Sequence, residues 1–287
     1  MRNHFTGSIL TLASVLAAQS LAPKPASAQQ TGTAEKAHEE LNRASIILPK
    51  AGSPPPPRLP DGHVDLGNGK GSWYPALIRD ITGHGAGDET IGPRKKGPQQ
   101  VEKVVEVKML PWAQKFFDAV EVSRSKDDPE ARCLPPGIPR LMVTPFPFQL
   151  YQLPDRLIFV HEGGAHMWRI VYTDGRKHSK DATDYPTYLG EGIGHWEGDS
   201  MVVDNIGFNN KSWIDSSGHP HTEKLHVIEK YTRTSLDNLH YEATIDDPGA
   251  YTKPWTSSWN IVWSAGITPL EYICQEGNRD VEHLVGK

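Results

Sequence analysis

Histidines and carboxylates crowd into one stretch of the chain, residues 188–255. It holds His195, the block Gly218-His219-Pro220-His221-Thr222-Glu223, His226, the acidic pair Asp246-Asp247 and the aromatic run Tyr251 to Trp255. An imidazole titrating near neutral pH, oriented by an aspartate or glutamate, can pass protons to and from a bound molecule and so contribute about 10²–10⁴-fold to a rate. On that reading His221 or His226 is the base and Glu223 or Asp246 its orienter. Tyr251, Trp255 and Trp213 stack on the ligand, with His195 a further contact to it. This chemistry needs no cofactor.

A second reading takes a divalent metal. His219 and His221 are two positions apart and share a side in extended backbone. With Glu223 or Glu229 nearby, and His226, His240 or Asp246 as a further ligand, they form a set suited to Zn, Fe, Ni or Cu. Gly218 and Pro220 put the pair in a loop, where strand alternation need not hold. A third reading is a non-catalytic binding protein using the same pocket. His161 and His166 flank a turn and are expected to be exposed, with Glu162 beside them.

The elements that must position these groups read as short strands joined by turns. Arg156 to His161 and Met167 to Tyr172 flank Glu162-Gly163-Gly164-Ala165, and 194–196 and 201–206 flank Glu197-Gly198-Asp199. Leu225 to Thr232 and Leu239 to Ile245 form a further hairpin, and 259–263 and 271–274 complete about eight strands. The class is mainly β, an antiparallel barrel or sandwich with a loop-rich N-terminal half. Along 225–232, His226 and Ile228 share one face. Along 239–245, His240, Glu242, Thr244 and Asp246 share one. These polar faces meet either solvent or a polar barrel lumen. One short helix is expected at Pro111 to Ser123, where Trp112, Phe116, Ala119 and Val120 recur at helical spacing and proline suits the first turn.

Residues 1–28 read as a signal peptide: Arg2, an apolar run from Ile9 to Ala18, and Ala26-Ser27-Ala28 as cleavage site. Residues 29–60 read as a flexible arm ending in four consecutive prolines, and 61–287 as a single β-rich domain. Without Arg2 and Lys24 the mature chain carries 28 basic and 35 acidic residues, a formal charge of −7. That balance argues against a nucleic-acid partner, and the apolar run is too short to span a membrane. Cys133 and Cys274 are expected to pair in an oxidising compartment. No Gly-x-Ser-x-Gly elbow, phosphate-cradling glycine loop or His-Glu-x-x-His helix is present.

Several phrases go together: Arg58-Leu59-Pro60-Asp61-Gly62-His63, Arg132-Cys133-Leu134-Pro135-Pro136-Gly137-Ile138-Pro139-Arg140, Trp196-Glu197-Gly198-Asp199, His219-Pro220-His221-Thr222-Glu223, and Asp246-Asp247-Pro248-Gly249-Ala250-Tyr251-Thr252-Lys253-Pro254-Trp255. In combination, over most of the mature chain, they resemble a family of exported bacterial proteins. The resemblance implies export and no particular activity. His195 stands where that family usually carries a basic residue, often Arg. The expectation is a periplasmic or secreted enzyme, acting as a lyase, isomerase or hydrolase on a cyclic or aromatic compound, with a homo-oligomer left open.

Overall fold

A computed structural model describes residues 52–84, 101–123 and 125–276. The leader and most of the arm lie outside the described residues. Nine strands close into a barrel in sequence order: β1 (Gly71–Tyr74), β2 (Phe148–Leu153), β3 (Arg156–His161), β4 (Trp168–Tyr172), β5 (Glu191–Glu197), β6 (Ser200–Ile206), β7 (His226–Ser235), β8 (Asn238–Asp246) and β9 (Trp255–Ala265). Every neighbouring pair is antiparallel except β4 and β5, which run parallel after a long connection. Two helices accompany the barrel among the described residues, α1 (Pro111–Ser123) and α2 (Gly163–His166), and no helix there is long and apolar enough to cross a membrane.

The hairpins fall where alternation and turn chemistry put them. β5 and β6 pair from Glu191↔Ile206 to Glu197↔Ser200, and β7 and β8 pair from His226↔Asp246 across a Ser235–Asn238 turn. Three elements differ from expectation. β1 and β2 come from segments whose glycines and prolines mask strand character, and residues 271–274 form no strand. Past β9 the chain leaves the sheet, and Cys274 is bonded to Cys133. In the arm, Pro54 accepts from the Leu236 amide and Arg58 forms a two-pronged pair with Asp199.

The lumen is a filled core. Alternate residues Val227, Glu229, Tyr231 and Arg233 of β7 are buried, as are Leu239, Tyr241, Ala243 and Ile245 of β8. The face carrying His226, Ile228, His240, Glu242, Thr244 and Asp246 is therefore the solvent side, and only the opposite face meets the lumen. Glu229 is the polar centre. It pairs with Arg169 and accepts from Asn205 Nδ2 (2.9 Å), Tyr231 OH (2.6 Å) and Tyr241 OH (2.8 Å). A charge pair this deep is costly unless its remaining bonding capacity is filled; five donors fill that of the carboxylate, while Arg169 Nε has no partner among the described residues. Gly192 makes the room, because a Cβ there would stand 2.8 Å from Asn205 Oδ1. His161, expected to be exposed, is buried in the same interior between Phe148 and Phe159. Burial and the charge of Arg169 push its pKa down to about 3.

The barrel has a seam. β1 has four residues where β9 has eleven, so β1 covers only residues 262–265 of β9. The rest of that edge is closed by chain segments. Glu102 N–H donates to Ser258 O (3.0 Å), Ser257 Oγ donates to Ile81 O, and Trp259 Nε1 donates to Met142 O (2.9 Å). Against this seam lie Ile81, Val101, Glu102 and Met142, and the loop between β6 and β7 meets it where His219 packs on Trp255.

Candidate functional site at the barrel seam

The loop between β6 and β7 folds back on residues 79–82. Asp215 organises it: Oδ1 accepts from the Ser217 amide (3.2 Å) and the His219 amide (3.3 Å), and Oδ2 accepts from the Ile81 amide (3.1 Å). The same Oδ2 lies 2.8 Å from His219 Nδ1. Asp80 brings a second carboxylate, with its Oδ1 bonded to the Thr82 amide (2.8 Å) and hydroxyl (2.5 Å). One donor atom from each of Asp80, Asp215 and His219 lies within 4.8 Å of the others, and all three residues are buried. Gly218 allows this close packing: φ is +95°, and a Cβ would lie 2.4 Å from Val120 of α1.

Aromatic rings enclose the imidazole. Phe117 of α1 stands 4.5 Å from it between centroids and Trp255 of β9 stands 6.0 Å away. The buried stripe of α1 is Ala113 and Val120, whereas Trp112 and Phe116 of the expected stripe are partly open. Phe116 packs edge-on to Trp213 and Trp112 donates to Gly249 O (2.8 Å). Burial alone would lower the pKa of His219, but the adjacent Asp215, with Asp80 and Glu121 adding, turns the net shift upward. Burial would raise Asp215, and the charge and hydrogen bond of His219 bring it below the ordinary carboxylate range. Asp215 thus favours the protonated form of the His219 ring against the effect of burial.

The residues singled out from sequence separate into three places. His219, Tyr251, Trp255 and Trp213 are buried at the seam, where Tyr251 OH donates to Pro220 O (2.7 Å) and rests edge-on against Trp255. His221 is buried beside them but points elsewhere. Its Nδ1 lies 3.2 Å from Thr222 O, a carbonyl that can only accept, so Nε2 is free of hydrogen and accepts from Ser212 Oγ (3.1 Å). Burial lowers its pKa. The metal-type cluster joins His219 to Asp80 and Asp215 rather than to His221. His226 and Asp246 face each other on the outer wall of the barrel, where His226 Nε2 is 2.9 Å from Asp204. Glu223 is exposed, and His195 is exposed with Glu197 3.2 Å away. Asp247, not Asp246, is the acid that holds the site loop, accepting from the Thr222 amide (2.5 Å) and hydroxyl (2.7 Å).

Asp80 and Asp215 were not legible as site residues. The four-residue interval from Asp215 to His219 was a usable signal, but Asp80 lies far upstream with no local motif. The three donors fit a divalent ion chemically. Two carboxylates and an imidazole are donor types that first-row divalent metals take, and in this structure Asp215 Oδ2 and His219 Nδ1 are joined by a 2.8 Å hydrogen bond.

A cleft of about 270 Å³ opens next to this centre, lined by Arg140, Asp128, Glu130, Thr144, Phe146, Tyr272 and, one residue from Asp215, Ser216. Arg140 donates to both oxygens of Asp128 (2.8 and 2.6 Å) and lies 2.8 Å from Glu130. The disulfide Cys133–Cys274 stands beside the cleft with a Cα–Cα distance of 5.6 Å, and is compatible with an exported protein. No protein-family model, curated protein or solved structure matches the chain.

Proposed function

We propose that the chain is a small-molecule enzyme of an oxidising compartment, working by histidine–carboxylate proton transfer with His219 as the group that handles the proton. The observation that carries this reading is the buried pair Asp215–His219 at 2.8 Å, with the Asp80 carboxylate close by. Asp215 fixes the ring and favours its protonated form, so His219 can donate to a leaving or enolising oxygen and take the proton back. Such a step belongs to lyase, isomerase or hydrolase chemistry. The rings of Phe117 and Trp255 favour a cyclic or aromatic substrate. The resemblance to exported bacterial proteins and the disulfide both favour a periplasmic or secreted location.

The test is an incubation of the mature protein with a total metabolite extract, read by untargeted mass spectrometry. Compounds consumed by the wild type and by His226→Ala, but untouched by His219→Gln, support the reading. Equal consumption by His219→Gln, or none by the wild type, overturns it. In the latter case a compound that copurifies unchanged favours a binding protein. The donor set Asp80, Asp215 and His219 favours one second reading, a metalloenzyme in which His219 is a ligand rather than an acid. Native mass spectrometry without chelator separates the two: one metal per chain, lost in both Asp80→Asn and His219→Gln, selects the metal.

A further inference from the structure

We infer that the cleft beside Arg140 is a binding site for a compact organic cation. The inference concerns binding alone and does not rest on the chemistry of His219.

Charge is the first ground. Among the described residues, the cleft brings together two carboxylates and one guanidinium. Arg140 has both terminal nitrogens committed to Asp128 and its Nη2 also to Glu130, so little of its charge remains to hold an anion. One negative charge is left in excess. It resides on Glu130, whose side chain is 22% exposed against 11% for Asp128 and 4% for Arg140. Glu130 Oε2 faces Arg140, while Oε1 has only a long 3.5 Å contact from the Thr144 hydroxyl. Burial pushes the Glu130 carboxyl up despite Arg140, so its negative charge is under-compensated where it stands.

Shape is the second ground. Phe146 and Tyr272 wall the cleft with ring centroids 4.8 Å apart and planes inclined at 40°. The two rings pack on each other, so the aromatic surface they give the cleft is one continuous wall beside the carboxylate, a pairing that suits an alkylammonium head drawn to the rings and satisfied by the anion. A volume of about 270 Å³ lies just below the range of drug-sized sites, which suits a compact occupant and excludes an extended one. Leu77, Ile78 and Val143 supply apolar lining for its alkyl groups.

Construction is the third ground. Glu130 begins a short 3-10 turn, Glu130–Arg132, that runs into Cys133, and Tyr272 precedes Cys274 by two residues. The disulfide thus ties the anionic wall to the aromatic wall and holds the gap between them.

The experiment uses the mature chain and three probes of similar size: tetramethylammonium, neutral tert-butanol and anionic pivalate, followed by saturation-transfer NMR titration. Tetramethylammonium is expected to bind saturably, with the other two at least about tenfold weaker. Glu130→Gln and Tyr272→Leu should each weaken it by about tenfold, and Glu242→Gln, on the outer barrel wall, should leave it unchanged. Tyr272→Leu breaks no ion pair, so the test survives if Glu130→Gln fails to fold. Absence of saturable tetramethylammonium binding, equal binding of tert-butanol, or full binding by Tyr272→Leu overturns the inference. His219→Gln should bind as the wild type does, which keeps a failure here distinct from a failure of the proton-transfer reading.

Discussion

Replacing His161 by Phe tests whether the lumen is dry core or a place where protons move. The wild-type ring is buried against Phe148 and Phe159, its Nε2 has no hydrogen-bond partner, and its pKa is pushed from 6.5 to about 3 by burial and Arg169. A base held neutral by the fold stabilises the protein fully above its unfolded pKa. That contribution drains away as pH falls below 6.5, because the unfolded chain gains a proton that the folded chain refuses, and levels off only near pH 3. At about 1.4 kcal/mol per pH unit, the wild type loses about 2–3 kcal/mol from this group between about pH 7.5 and pH 4.5. His161→Phe has no such term, and phenylalanine suits a pocket already made of aromatic rings. Urea unfolding of both proteins across that range gives the difference directly, since the other titrating groups are common to both. The variant should gain on the wild type by about 2–3 kcal/mol as the solution is acidified. Parallel pH profiles would refute the reasoning and place His161 in contact with water.

Removing the Cys133–Cys274 bond by the double replacement with Ser frees a loop whose ends are 141 residues apart, which the chain-entropy model values at about 5 kcal/mol. Urea midpoints of the two proteins, without reductant, check this. Within the lumen, Glu229→Leu strands the guanidinium of Arg169 in a dry interior and should cost about 3–5 kcal/mol. The double variant Arg169→Met, Glu229→Leu should recover only part of that loss in thermal unfolding, since it removes the stranded charge but leaves Asn205 Nδ2 and the Tyr231 and Tyr241 hydroxyls without their acceptor.

The hairpins β3–β4, β5–β6 and β7–β8 could be placed from sequence because each is a local event. Alternating residues and an intervening turn such as Glu197-Gly198-Asp199 decide it within a score of positions. Helix α1 was equally legible, bounded by Pro111 and Ser123. β1 and β2 were not: Trp73 of β1 pairs with Trp263, far along the chain, and β2, although it forms a tight hairpin with β3, shows no clean period of its own between its flanking prolines. A disulfide between Cys133 and Cys274 followed from cysteine count and the expectation of export, without any knowledge of distance.

By itself the sequence determined the strand and turn grammar, the block that contains His219, and the pairing of its two cysteines. Alternation also divided β7 and β8 into two faces, yet it cannot say which face turns inward. Closure of the barrel answered that, burying Glu229 and leaving His226 and Asp246 outside. Only tertiary structure brought Asp80 beside Asp215 and His219, and Phe146 beside Tyr272. The reason is physical: these meetings are set by the short β1, which leaves the edge of β9 to be covered by remote loops, and by a cross-link spanning half the chain. No local propensity encodes either.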